Sequence, residues 1–165
     1  VLTIGPSAPP VPSPEFQRIL FATDFGPASA RAFFYALSLA EDYEAKLILV
    51  STTPPLPDFG PSAYCPGIYA ARDITEWRAR MEQQSARRLR KMVPSTTELR
   101  TQPEFVVGID CVPEGILGIA AAHDATLIVM GSNQVPSARV AAHIPWDLTH
   151  NVICGAKCPV LTVMG

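Results

Sequence analysis

Asp24 is the residue of this chain that is best placed for chemistry. It follows the short apolar run Arg18–Thr23, and Gly26 and Pro27 come just after it. A carboxylate at the end of a buried strand can cap the helix that follows, accept hydrogen bonds from a ligand, or act as a general base. If the chain is an enzyme, Asp24 is the only evident candidate for that base. A cap alone and a cap combined with a ligand contact both remain open.

The histidines and cysteines form no recognisable catalytic or metal-binding pattern. His123, His143 and His150 are scattered, and the sequence has no Gly-x-Ser-x-Gly, P-loop or His-Glu-x-x-His motif. No Cys-x-x-Cys pair occurs, which disfavours a disulfide framework and a zinc knuckle. Cys154 and Cys158 would share a metal only if further ligands converged on them, so we expect buried thiols. We predict no catalytic residue and no metal site; enzymatic activity is uncertain, and a non-enzymatic role is favoured.

The composition predicts one folded domain. The 165 residues include 13 basic and 15 acidic ones, for a formal net charge of −2, and 48% of them are hydrophobic. Such a chain is too apolar for general disorder and long enough to bury a core without disulfides or metals. No apolar run reaches the ~18 residues of a membrane-spanning helix, and the first residues do not resemble a signal peptide. We therefore expect a cytoplasmic protein with no membrane partner.

Five short apolar runs alternate with four helical patterns. Strands are predicted at Arg18–Thr23, Lys46–Thr52, Glu104–Gly108, Thr126–Met130 and Pro159–Met164, and helices at Pro27–Tyr43, Arg72–Met92, Pro113–His123 and Pro145–Cys154. Near-continuous apolar strands separated by helices indicate a parallel sheet that is covered on both faces. Because crossovers between parallel strands are right-handed, the predicted fold class is α/β, a doubly wound five-stranded parallel sheet.

The first fifteen residues differ from the rest of the chain. Five of them are prolines, and most of the others are small. This composition predicts an extended arm that forms neither a helix nor a paired strand. We therefore predict an arm at 1–15 and the α/β domain at 16–165. A second proline-rich stretch, Pro54–Pro66, predicts a surface loop.

Three segments together resemble the universal stress protein family. Phe21–Ala40 is similar to the opening strand and helix of that family, Leu127–Ser132 to its fourth strand and glycine turn, and Cys158–Val163 to its closing strand. The order and spacing agree over residues 16–164. The resemblance implies a single-domain protein with strand order 3-2-1-4-5.

In that order, the first and fourth strands are neighbours whose connections leave toward opposite faces. Open α/β sheets bind ligands at such a switch point, beyond the carboxyl ends of the strands. Asp24 ends the first strand and Gly131 follows the fourth, so the resemblance implies that both flank one crevice. In the family, the acid at this position accepts hydrogen bonds from a nucleoside. The residues that the resemblance assigns to the nucleoside part of the crevice are Ala22, Thr23, Asp24, Thr52, Met130 and Gly131.

The part of the family motif that holds phosphate is altered. Family members that bind ATP carry Gly-x-x-Gly, a spacer and then Gly-Ser/Thr at the last helix, so that backbone amides approach the phosphates. Here Gln134 stands at the second glycine, and Trp146-Asp147 stands at the final pair. At ~4 Å and an effective dielectric constant of ~20, a carboxylate repels each phosphate charge by about 4 kcal/mol. The altered phosphate loop comprises Ser132, Asn133, Gln134, Trp146, Asp147 and Thr149.

Two functions are compatible with these residues. The favoured one is a dimeric regulatory module of the stress response that holds adenosine, AMP or another small ligand, with no cofactor certain. The alternative is a true ATP-binding switch that depends on Mg²⁺ and hydrolyses ATP weakly or not at all. It would use Ser132, Asn133, Gln134 and Thr149 in place of the missing glycines.

Two surfaces are candidates for macromolecular partners. Seven of the 13 basic residues lie between Arg72 and Lys91, but the net charge of −2 and the absence of interleaved aromatic residues favour a solvated helix face over nucleic-acid binding. The last strand is an edge strand in the implied order, and its apolar sequence Val160–Val163 tends to recruit another strand. We therefore expect a homodimer through residues 158–164, as the family commonly forms.

Overall fold

The computed structural model describes residues 1–9, 15–52, 71–108, 112–132 and 148–165. All five predicted strands and all four predicted helices are present, and one further strand precedes them. The strands are β1 Leu2–Thr3, β2 Arg18–Ala22, β3 Lys46–Thr52, β4 Glu104–Gly108, β5 Leu127–Ser132 and β6 Val160–Met164; the helices are α1 Pro27–Asp42, α2 Ala71–Met92, α3 Glu114–Ala122 and α4 Leu148–Gly155.

The strands form one six-stranded sheet in the order β1-β6-β5-β2-β3-β4. All neighbouring strands from β6 to β4 pair in parallel. Without β1, this arrangement is the predicted order 3-2-1-4-5, and the α/β fold class is confirmed. β2 and β5 lie side by side at the centre of the sheet, with Ala22 opposite Met130.

The amino-terminal arm contains a paired strand, so the prediction that it forms none is wrong. Leu2 and Thr3 pair antiparallel with Leu161 and Val160 of β6. The first proline of the arm is Pro6, and the residues before it keep the backbone N–H groups that a sheet edge needs. β6 is therefore not the uncovered edge strand that the implied order predicted.

The sheet is buried on both faces, which explains the nearly continuous apolar strands. In β2, Phe21 belongs to a cluster with α1 and α2, whereas Leu20 belongs to a cluster with α3 and α4. Successive side chains of a strand point to opposite faces, so both kinds of position must be apolar. Among the described helices, none combines the length and apolar character that crossing a membrane requires.

Candidate functional site

A crevice of about 170 Å³ lies at the carboxyl ends of β2, β3 and β5. Because β2 and β5 are adjacent there, it lies at the switch point where α/β sheets bind ligands. All six residues predicted for the nucleoside part of the site line it: Ala22, Thr23, Asp24, Thr52, Met130 and Gly131. The fold therefore brings these residues together, while ligand binding by them stays a prediction.

Five further residues of the lining were not predicted for the site: Ser29, Val50, Val112, Ile116 and Leu148. Val50 could have been found, because it lies two residues before Thr52 in the same strand and so faces the same side. Ile116 lies within the predicted helix Pro113–His123, but that range does not indicate what its side chain would contact. Val112 precedes α3 and Leu148 begins α4. The position of these helices over the sheet is a tertiary property without a local sequence signal.

The carboxylate of Asp24 is fixed by the turn that leads into α1. Its Oδ1 accepts hydrogen bonds from the backbone N–H of Gly26 at 2.8 Å and from the hydroxyl of Ser29 at 2.5 Å. The bond to the N–H two residues on forms an Asx turn. The N-cap position itself is occupied by Gly26, which has no side chain to cap with. Asp24 thus supports the start of the helix from two residues ahead of its N-cap.

Opposing effects set the pKa of Asp24. Partial burial raises this pKa, but hydrogen bonds from Ser29, from Gly26 and from its own backbone together outweigh the burial and hold the pKa below its ordinary value. A carboxylate with a lowered pKa is well suited to accepting hydrogen bonds. It is a poor general base near neutral pH, because an effective base has a pKa near the working pH.

Thr23 and Phe25 hold the same turn from either side of Asp24. The backbone N–H of Thr23 donates to the carbonyl of Val50 at 2.9 Å, and its Oγ1 accepts from the N–H of Phe25 at 2.8 Å. Phe25 has a φ of 61°, which is uncommon for a residue other than glycine. Its ring lies 3.9 Å from the guanidinium carbon of Arg88 on α2. The turn is therefore tied both to β3 and to α2.

Gly131 allows a close contact between β5 and α1. A Cβ at this position would overlap the backbone of Ala28 and Ser29 in the first turn of α1. The prediction that this strand ends at Met130, with Gly131 following it, is wrong, because Gly131 continues β5 and lies opposite Val163 of β6. The strand extends this far because β6 continues to pair with it. The glycine is required here by packing.

Two residues of the predicted phosphate loop are described, and they lie close together. Ser132 ends β5, Thr149 lies in the first turn of α4, and their hydroxyl oxygens are 3.4 Å apart. The amino-terminal end of a helix carries a partial positive charge, so these hydroxyls lie where an anion is favoured. Four predicted residues fall outside the described residues: Asn133, Gln134, Trp146 and Asp147.

The described cysteines and histidines lie outside the lining of the crevice. Cys158 is buried as predicted, and burial raises the pKa of its thiol to about 11. Cys154 is only partly buried, and its Sγ lies 3.5 Å from Nε2 of His150. Within the described ranges, His, Cys, Asp and Glu form no group of three or more that could hold a metal.

The basic face of α2 has contacts within the chain. Arg80 lies 3.7 Å from Glu76 in an ion pair, and Arg88 covers the ring of Phe25. Exposed ion pairs of this kind contribute little to stability. The prediction that this face is solvated and binds no nucleic acid stays a prediction.

Comparison with known proteins identifies a family whose members resemble this chain. The model of the universal stress protein family matches residues 15–164. A search of curated protein sequences found no match. Among solved structures, hypothetical protein MJ0577 is similar with a TM-score of 0.67 and 17% identity, over 92% of this chain and 97% of that chain.

Two of the similar structures contain a nucleotide. A universal stress protein in complex with cAMP has a TM-score of 0.59 and 20% identity, over 90% of this chain and 97% of that chain. The universal stress protein from Archaeoglobus fulgidus in complex with dAMP has a TM-score of 0.52 and 20% identity, over 90% and 98% of the two chains. These likenesses show a common fold, and the match of the family model over residues 15–164 shows that the chain belongs to the universal stress protein family.

Proposed function

We propose that this chain is a regulatory module of the stress response whose crevice binds adenosine, AMP or a related adenine nucleotide. The observation that carries the proposal is the carboxylate of Asp24 in the lining of the crevice. The hydrogen bonds from Gly26 and Ser29 both reach Oδ1, so Oδ2 serves as the acceptor for the nucleoside. The lowered pKa keeps this carboxylate ionised at neutral pH.

The rest of the lining suits a flat, largely apolar base. Val50, Ile116 and Met130 offer apolar surface, and Thr52 adds a hydroxyl at the end of β3. The volume of about 170 Å³ is below the roughly 300–1,000 Å³ of pockets that enclose drug-sized ligands. A nucleoside-sized group therefore suits the enclosed part better than a triphosphate.

The altered phosphate loop is the second support for a ligand with one phosphate or none. Gln134 and Trp146-Asp147 stand where ATP-binding members of the family carry glycines and a Gly-Ser/Thr pair. The nucleotides in the two similar structures, cAMP and dAMP, each carry a single phosphate. In this proposal the triphosphate grip has degenerated, while the nucleoside part of the site is kept.

The alternative function is an ATP-binding switch with a non-standard phosphate loop and Mg²⁺. The placement of two hydroxyls favours it. Thr149 donates to Ser132, and the hydroxyl of Ser132 can in turn donate to a phosphate oxygen near the start of α4. The two proposals differ in whether affinity rises or falls from AMP to ATP.

We further propose that two copies form a homodimer in the cytoplasm through residues 158–164. The support is the apolar, uncharged strand Val160–Val163, which can pair with the same strand of a second copy. Such two-fold pairing gives a closed dimer. The main-chain groups of Val160 and Thr162 must first part from the segment that now covers them.

Calorimetric titration of adenosine, AMP and ATP with Mg²⁺ tests the nucleotide proposal. The variants are Asp24→Asn and the matched control Asp42→Asn. Asp42 also receives a hydrogen bond from a serine hydroxyl of α1, at 3.5 Å from Ser38, but it lies at the other end of the helix. We expect AMP to bind more tightly than ATP. Affinity should fall about tenfold in Asp24→Asn, because a hydrogen bond to a charged group is worth about 1.5 kcal/mol or more.

The triple variant Gln134→Gly/Trp146→Gly/Asp147→Ser tests the degenerate loop separately. If those three residues exclude the triphosphate, the variant gains ATP binding that the native chain lacks. Tighter binding of ATP than of AMP by the native chain would favour the switch instead. The absence of binding by all three ligands, or equal affinity in Asp24→Asn, contradicts the proposed site.

A further inference from the structure

The main chain of Val1 extends the pairing of β1 along β6. The nitrogen of Val1 donates to the carbonyl of Thr162 at 2.6 Å, and the N–H of Thr162 donates back to the carbonyl of Val1 at 2.8 Å. The hydroxyl of Thr162 donates to the same carbonyl at 3.2 Å. These contacts use both backbone groups that Thr162 presents on the outer side of β6.

Beyond β1, the same segment rests on the last turn of α4. Gly5 is buried there, and a Cβ on it would overlap the carbonyl oxygen of Ile153. The hydroxyl of Ser7 donates to the carbonyl of Cys154 at 2.7 Å. Carbonyls in the last turn of a helix lack partners within the helix, so Ser7 satisfies one of them. The contact depends on a residue without a side chain at position 5 and a short donor at position 7.

The segment binds mainly through its backbone and these two residues. The side chains of Leu2 and Ile4 remain 50% and 67% exposed, so little apolar surface is buried. With the segment docked, the outermost strand of the sheet on this side is the two-residue β1 and no longer the five-residue β6. Pro6, which has no N–H, follows β1. Short, proline-ended edges are a known protection against pairing with other chains.

We infer that the edge of β6 and the last turn of α4 form a strand-docking site, which residues 1–7 fill within the chain and which a second copy can use only after they leave. The inference rests on the homodimer proposed above and adds what controls it. The backbone groups of Thr162 cannot bond to Val1 and to a second copy at the same time. Docking within the chain and pairing between copies are therefore mutually exclusive.

The test uses the full chain and the substitution Gly5→Ala, which places a Cβ against the carbonyl of Ile153. The matched control is Gly118→Ala, because a Cβ at Gly118 meets nothing within 4 Å. Light scattering gives the mass over a range of protein concentrations, and hydrogen exchange reports the N–H of Thr162. A synthetic peptide of residues 1–9 is added to the Gly5→Ala variant, and the same peptide carrying the substitution serves as its control.

We expect Gly5→Ala to dimerise at concentrations at which the native chain and Gly118→Ala still have a monomer mass with a protected Thr162 N–H. Those two chains should dimerise only at higher concentration. In dilute Gly5→Ala this amide should exchange about tenfold faster or more. The substitution weakens the docking of residues 1–7, so the hydrogen bond between Thr162 and Val1 is open for a larger share of the time. At higher concentration the variant should approach twice the monomer mass and regain protection. The native peptide should return the variant to the monomer, whereas the peptide that carries Gly5→Ala should not.

Two results overturn the inference, and they are distinguishable. Equal dimerisation of the native chain and Gly5→Ala would overturn control by residues 1–7 and leave the homodimer standing. A monomer mass for both at every concentration would overturn both. Neither result bears on the crevice, whose AMP titration is measured separately.

Discussion

Gly131 and Gly5 each allow two stretches of backbone to approach closely, in very different surroundings. Gly131 lies in β5 between the centre of the sheet and the start of α1, beside buried Ala28 and Ser29. Gly5 follows a two-residue strand at the sheet edge and meets α4. A side chain at Gly131 can be accommodated only by moving the core, whereas a side chain at Gly5 can be accommodated by release of the segment. Adding a Cβ should therefore disturb the whole fold at Gly131 and only the docked segment at Gly5.

The largest effect is expected for Gly131→Ala. The added Cβ overlaps the backbone of α1, and overpacking of this kind lowers the free energy of unfolding by about 3 kcal/mol. Urea denaturation measures the change. In the control Gly118→Ala, the free energy of unfolding should rise by about 0.5–1 kcal/mol, because alanine is the better helix residue. A loss below about 0.5 kcal/mol in Gly131→Ala would mean that β5 and α1 are not held this closely.

The second-largest effect is expected for Asp24→Asn, which tests how the carboxylate in the crevice stabilises the fold at different pH values. The pKa of Asp24 is lowered in the folded state, so the carboxylate stabilises the fold above its unfolded-state pKa. That contribution is lost as pH falls through the folded-state pKa. We expect Asn to cost about 1 kcal/mol at pH 7, a value reduced by the exposure of this carboxyl, and less below pH 4.

Urea denaturation at several pH values measures this difference, with Asp42→Asn as the control. A difference between native chain and Asp24→Asn that stays constant down to pH 3 would contradict the role given to the hydrogen bonds from Ser29 and Gly26.

For Gly5→Ala we expect a change of less than about 1 kcal/mol in the free energy of unfolding, because the segment can open without the rest of the fold. AMP affinity should equal that of the native chain, since no residue of the crevice is touched. Thermal unfolding and AMP titration check these two values. A loss of unfolding free energy as large as that of Gly131→Ala would contradict this and would show that residues 1–7 unfold only together with the rest of the fold.

The smallest effect is expected for Ser7→Ala. Its one hydrogen bond to the carbonyl of Cys154 is exposed, and a neutral bond contributes about 0.5 kcal/mol. The N–H of Thr162 should therefore exchange about twofold faster. Exchange as fast as in Gly5→Ala would mean that the hydroxyl, rather than the absent side chain, fixes the segment.

The crevice could be predicted from sequence because its residues lie at the ends of regular elements. Asp24 follows one apolar strand and Thr52 ends another, and parallel strands bring their carboxyl ends together. The segment at β6 could not be predicted, because two residues carry too little pattern and the prolines after them indicate no strand. Its contacts with Thr162 and Ile153 join opposite ends of the sequence. Leu148 was missed for a related reason, since the packing of α4 over the sheet decides its position.

Adenine-nucleotide binding in the crevice is tested most directly by titrating AMP into the isotope-labelled chain and following backbone amide resonances. We expect saturable shifts at Thr23, Asp24, Thr52 and Gly131, and none at Thr162. Shifts confined to the groove of about 470 Å³ between α3 and residues 155–158, or no shifts at millimolar AMP, would contradict the assignment of the site.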